Sequence, residues 1–108
     1  MTVSKLCDLL NAKALSLPEG EREIDGVYIG DLLSWVMGRA KSDNVWITIM
    51  SNQNVAAVAT LADTACIILA EGVQPDEGVA ALAEQKGINL LLSELSAYET
   101  ALRLHDCL

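Results

Sequence analysis

The sequence predicts an α/β domain, a three-layer α/β/α sandwich around a mostly parallel sheet, and three observations carry that prediction. From residue 45 onward an apolar strand segment is followed by a helical segment three times over: Val45 to Met50 then 54 to 64, Cys66 to Ala70 then 76 to 86, and Ile88 to Leu92 then 97 to 107. The strand segments Cys66-Ile67-Ile68-Leu69-Ala70 and Ile88-Asn89-Leu90-Leu91-Leu92 are nearly continuous apolar runs, the pattern of strands covered on both faces rather than of a half-exposed antiparallel sheet. The helix boundaries agree: Pro75-Asp76-Glu77 suits a first turn, Lys86-Gly87 a last one, and Ser96-x-x-Glu99 is a capping box.

The elements before residue 45 follow from spacing. Val3, Leu6, Leu9 and Leu10 recur at helical intervals, which predicts a helix from 3 to about 12 with Leu6, Leu9 and Leu10 inward. Lys13 to Leu17 reads as a short strand, and Pro18-Glu19-Gly20-Glu21 as a turn. Glu23 to Gly30 is a short irregular strand leading to a helix over 31 to 40 that Asp31 caps. Leu32, Leu33, Val36 and Ala40 share one face of that helix. Trp35 and Met37 widen the apolar stripe, so the helix is expected to be covered on more than one side and to offer a dimer face. Trp35 and Trp46 are both expected as core anchors.

The chain has 108 residues, which suffices for one domain over 1–108 and leaves no length for a separate catalytic domain. Area scaling gives roughly 5,800 Å² of folded surface and about 65% burial, enough for a core that needs no disulfide or metal. Seven Lys and Arg against 15 Asp and Glu give a net charge of −8, which argues against nucleic acid and anionic membranes as partners, since such binders work through cations. The most apolar window, Val55 to Ala70, is too short for a membrane span and is broken at Asp63-Thr64. Three separated cysteines, Cys7, Cys66 and Cys107, without a C-x-x-C pair or a leader, fit a cytoplasmic protein.

Reactive constellations are sparse. The Gly-rich phosphate loops G-x-x-x-x-G-K-[ST] and G-x-G-x-x-G are absent. The only histidine, His105, sits two residues from Cys107 and is expected partly buried near the end of the last helix. No metal site and no cofactor is expected from it. A carboxylate pair such as Asp31 and Glu71 could do acid–base work only if their strand ends adjoin.

In an open parallel sheet, ligands collect outside the carboxyl ends of the strands, where helix N-termini present unpaired N–H groups. Topology therefore selects Gly30 and Asp31, the loop Ser51-Asn52-Gln53-Asn54, the loop Glu71-Gly72-Val73-Gln74, and Ser93-Glu94-Leu95-Ser96. Within these, Gly30, Asp31, Ser51, Asn52, Asn54, Glu71 and Gly72 are the candidate ligand-binding residues. Asn54, Asp31 and Ser96 could equally be helix caps, and Gly72 a turn residue. Tyr28, next to Gly30-Asp31, is the aromatic best placed to stack on a base.

Several stretches resemble one family: Gly26-Val27-Tyr28-Ile29-Gly30-Asp31-Leu32-Leu33-Ser34, Val45-Trp46-Ile47-Thr48-Ile49, Cys66 to Val73 with Pro75, and Ala83 to Leu91. Together they are similar to the DRTGG domain family over essentially the whole chain. The resemblance implies the α/β/α fold of the N-terminal domain of HPr kinase/phosphorylase, and a stand-alone bacterial member of a family otherwise fused to CBS domains in regulated pyrophosphatases. The Asp-Arg step of the family name falls on Ser51-Asn52-Gln53-Asn54, which has no Arg. Its Thr-Gly-Gly step falls on Ala70-Glu71-Gly72, where Glu71 replaces one glycine. A cation is lost and an anion gained.

Together these readings lead to an expected function. The chain is a non-enzymatic regulatory or ligand-sensing module, a homodimer that takes a small nucleotide or phosphate compound at the carboxyl ends of the strands. The other expectation is a scaffold docking onto a larger enzyme, which the resemblance connects with an iron-only hydrogenase system. The catalytic half of HPr kinase has no counterpart, so kinase activity does not carry over.

Overall fold

A computed structural model describes all residues, 1–108. Five strands form one sheet in the order β1-β5-β4-β3-β2: β1 (Lys13–Ser16), β2 (Val27–Ile29), β3 (Val45–Thr48), β4 (Cys66–Leu69) and β5 (Leu90–Leu92). β2 to β5 are parallel, and β1 closes one side antiparallel to β5 with an irregularity between Ala14 and Ser16. The helices are α1 (Val3–Leu9), α2 (Leu33–Arg39), α3 (Asn54–Ala62), α4 (Val79–Gln85) and α5 (Ala97–His105). The expected α/β class and mostly parallel sheet are what the structure shows.

Because β2, β3, β4 and β5 follow each other across the sheet, right-handed crossovers place α2, α3 and α4 on the same face. Their Val36, Val55, Ala59, Val79 and Ala83 pack on Trp46, Ile67, Leu69 and Leu90. The opposite face, with Val45, Ile47, Cys66, Ile68 and Leu91, receives only α1 and α5, through Val3, Leu6, Cys7, Leu10 and Leu104. Alternation along each strand sends its apolar residues to both clusters, which is why the runs are continuous. The folded surface is 5616 Å², close to the scaling value.

Several local expectations are corrected. α1 ends at Leu9, and Leu9 is exposed, because Asn11 turns into the left-handed region to start β1. α4 begins at Val79 rather than 76: Asp76 bonds to the preceding loop, and Gly78 at φ 86° stands at the N-cap. α2 is not covered on more than one side. Only Val36 is fully buried, while Trp35, an expected core anchor, is 52% exposed with the Arg39 guanidinium stacked 3.8 Å from its ring centroid. Trp46 is wholly buried, as expected, and its Nε1 donates to the Gly30 carbonyl at 2.9 Å. His105 is exposed, not partly buried.

Two polar groups fasten the amino side of the sheet. Asn89, buried beside β5, donates through Nδ2 to the carbonyls of Glu19 and Ala65 and accepts from the Glu19 amide, each at 2.9 Å. Arg22 donates to Asp43 at 3.0 Å and to the Asp63 carboxylate at 2.9 Å, joining the loops before β3 and β4. The Ser42 hydroxyl, and next Arg22, hold the Asp63 carboxyl below its ordinary value.

Removing the Asn89 amide strands buried backbone groups, so Asn89→Ala is expected to lose about 2–4 kcal/mol in urea unfolding. The Asp63 contribution has a definite sign. A lowered folded pKa stabilises the fold above roughly pH 4, and the effect vanishes as pH falls through the carboxylate range. Asp63→Asn therefore flattens the decline of stability between about pH 4 and pH 2; an unchanged acid limb refutes that assignment.

Candidate functional site

Parallel strands end on one side, so the loops after β2, β3, β4 and β5 share the carboxyl edge. All seven sequence-selected residues lie there, along three neighbouring strand ends. Hydrogen bonds between loops make the edge one connected surface. Asp31 is not a helix cap: Leu32 holds the N-cap position of α2, and Asp31 Oδ1 accepts from the Thr48 hydroxyl at 2.8 Å and the Ile49 amide at 3.0 Å. It pins the loop after β2 to the end of β3. Asn54 is not a cap either, since it is the first helical residue; Asn52 Oδ1 accepts from its amide at 2.9 Å, closing an Asx turn. Ser96 is a cap as expected, accepting from the Glu99 amide at 3.1 Å.

The next loops are tied in the same way. Ser51 Oγ donates to Asp76 at 3.1 Å, and the Asp76 amide donates to the Ser51 carbonyl at 2.9 Å. The amides of Glu71 and Gly72 donate to the carbonyls of Leu95 and Ser93 at 2.8 and 2.9 Å. Glu71 (φ 62°) and Gly72 (φ 68°) are both left-handed. Gly72 has a second constraint: a Cβ there would stand 2.6 Å from a Glu94 carboxylate oxygen. Gly30 is held by Trp46 and lies against the Tyr28 ring, 2.8 Å from where a Cβ would be. Tyr28 is thus committed to packing beside Gly30.

Electrostatically the edge is acidic. Asp31, Glu71, Asp76, Glu77 and Glu94 stand on these loops, and no Lys or Arg does. Asp31 and Glu71 follow β2 and β4, with β3 between them, so their strand ends are about 10 Å apart and do not adjoin as acid–base work requires. Burial, and next Asp8, raises the Cys7 thiol, and burial pushes Cys66 up to about 12, so neither is a ready thiolate. His105, at the far end of α5, stands about 13 Å along the helix from the strand-end loops. No group of three or more His, Cys, Asp or Glu is arranged to hold a metal ion.

The sequence reading misses Asp76; Glu94 lies in a loop that topology selects but is not among the candidate residues. Asp76 after Pro75 looked like a first-turn acid, and nothing in the chain signals its bond to Ser51. The cavity was missed as well. It is a groove of about 510 Å³ that runs between β2 and α5 beside the strand-end loops, lined by Gly26, Val27, Ile29, Tyr98, Leu102 and His105 among others. The i, i+4 pair Tyr98 and Leu102, on a helix that already buries Thr100 and Leu104, was the available signal.

An open parallel sheet with cross-linked polar loops at one edge defines a small α/β/α domain that presents its loops to solvent instead of enclosing a cavity. The chain belongs to the DRTGG domain family, whose model matches residues 5–107. Its fold is similar to the CBS and DRTGG domains of the regulatory region of Clostridium perfringens pyrophosphatase, solved in complex with its activator diadenosine tetraphosphate. The TM-score is 0.73 at 13% identity, over 95% of this chain. The chain spans 45% of that one. A comparison with functionally curated proteins gave no match. No helix is long and apolar enough to cross a membrane.

Glu71 occupies a backbone conformation that favours glycine. Relief of about 1–2 kcal/mol of left-handed strain, less the entropy glycine adds to the unfolded chain, leaves Glu71→Gly about 0.5–1 kcal/mol more stable. Thermal unfolding checks this.

Proposed function

We propose that this chain is a non-catalytic regulatory module that holds a small nucleotide or other phosphate compound on its strand-end loops. One observation carries the reading: the amides of Ser51, Asn52 and Gln53, at the open N-terminus of α3, donate to no group of the protein. Successive unpaired amides at a helix start are suited to an anion, and the half-buried Ser51 and Asn52 supply polar atoms for the rest of the ligand. Membership of a family represented in a pyrophosphatase regulatory region bound to an activating nucleotide supports the same reading. With five acids and no cation around it, the edge favours a ligand with one phosphate over a polyphosphate, and binding is modest.

A second reading, docking onto a larger enzyme without a small ligand, is favoured by the exposed Leu32, Trp35 and Met37 of the α2 segment.

Thermal shift with AMP, ATP and diadenosine tetraphosphate at up to millimolar concentration separates the two. AMP is expected to raise Tm by about 2–6 °C. Gln53→Pro removes one of the unpaired amides at a φ of −63° that proline adopts, so it should leave the ligand-free Tm in place and reduce the shift. No shift with any of the three rejects the ligand reading and leaves docking.

A further inference from the structure

The two edges of the sheet differ in a way that the ligand reading does not use. On the β1 edge, Lys13 is exposed and the strand is irregular between Ala14 and Ser16, both devices that discourage pairing with another chain. The β2 edge has neither. Gly26-Val27-Tyr28-Ile29-Gly30 contains no charge and no proline. Gly26 accepts from Val45 and Gly30 donates to Ile47, so alternation turns Tyr28 toward β3 and leaves the N–H and C=O of Val27 and Ile29 pointing outward. No backbone group outside the sheet bonds to them.

Both flanks of this edge are apolar. On one face stands α2, the outermost crossover helix, with Leu32 and Trp35 exposed. On the other, the groove between β2 and α5 exposes Ile29, Tyr98, Leu102 and Leu108. These six side chains present on the order of 600 Å² to solvent, against about 800 Å² per partner in a standard interface, and the backbone edge adds the remainder.

We infer that a second copy of this chain pairs here, β2 against β2 antiparallel about a two-fold axis through Tyr28, to form one continuous ten-stranded sheet. The register is self-complementary: Val27 faces Ile29 of the other copy in two hydrogen-bonded pairs, giving four main-chain bonds, and Tyr28 faces its own equivalent. Such an axis keeps equivalent faces together, so the two α5 helices lie on one side. Packed across β3, each stands about 7 Å from the axis, and the gap of about 14 Å between them is filled by Tyr98, Leu102 and Ile29 from both copies. The pairing covers the groove that the single chain leaves open. It does not depend on the ligand reading, and its readout is mass without ligand.

Sedimentation equilibrium should give twice the chain mass at tens of micromolar. Ile29→Lys and Leu102→Glu, two exposed positions on different elements, should each lower the association constant at least tenfold with an unchanged far-UV spectrum. Leu61→Lys, exposed on α3 away from this edge, should leave the dimer intact. Hydrogen exchange adds a local readout: the Val27 and Ile29 amides are slow in the wild-type dimer and fast in the monomeric variants. If Ile29→Lys does not fold, Leu102→Glu with the exchange data decides. A wild-type monomer at about 200 µM, a dimer that tolerates the substitutions, or fast exchange at Val27 and Ile29 in the dimer overturns the inference.

Discussion

The crossover rule governs most of what is distinctive here. Once β2, β3, β4 and β5 lie side by side in chain order, right-handed connections leave no choice about where α2, α3 and α4 go, and one face acquires three helices. Strands about 4.8 Å apart make a five-stranded sheet roughly 19 Å between its outer strands, which three helices at about 10 Å spacing cover and two do not. The second face has only the flanking helices α1 and α5. Its shortfall falls at β2, where Val27 only partly packs on the core and Ile29 is left exposed beside α5. The groove is thus a consequence of topology before it is a consequence of side chains.

The same parallel order gathers four loops on one edge, and the hydrogen bonds there show how these loops are kept in shape without a core beneath them. Asp31 joins the ends of β2 and β3, the Ser51–Asp76 pair joins the loops after β3 and β4, and the amides of Glu71 and Gly72 join the loops after β4 and β5. The acids on this edge are partly structural: Asp31 and Asp76 each spend an oxygen on a neighbouring loop. Glu71 adopts the left-handed backbone that favours glycine while adding a carboxylate to the loop. Anion recognition on such an edge has to come from backbone N–H groups.

Legibility divides along physical lines. The fully buried strands β3, β4 and β5 could be read because a strand covered on both faces has no polar alternation and here each run is short and followed by a helical segment. Ser96 could be read because a capping box is local. Asp31 could not be assigned correctly: an acid before a helix looks the same whether its side chain turns to its own helix or to the next strand, and Thr48 and Ile49 decide that from 17 and 18 residues away. For Asn54 the helix starts one residue earlier than a cap there requires, because the Asn52 side chain turns the chain first. Trp35 failed for a related reason. A wide apolar stripe on a helix says that something apolar must meet it, without saying whether that partner is in the same chain. The sequence reading gives Trp35 both a place in the core and a share in a dimer face, and the single chain leaves the indole exposed.

β2 is where the two regions of interest meet. Its C-terminal end runs directly into Gly30 and Asp31, its outer edge carries the unpaired groups of Val27 and Ile29, and its Tyr28 ring packs over Gly30. A ligand that changes the strand-end loops therefore has a short physical route to the edge, through the Asp31 carboxylate that fixes the loop to β3 and through the Tyr28–Gly30 contact. Coupling in that sense requires a ligand that binds differently when β2 is paired and when it is not, and the reciprocal effect, pairing that alters affinity, follows by linkage. Three residues of strand with no charge, no bulge and a shared terminus with the loops form the one parallel strand that the chain leaves without a fully buried residue, the least fixed by packing within the chain. A regulatory contact placed on β3, β4 or β5 would have to move a fully buried strand; placed on β2 it has only to order an edge.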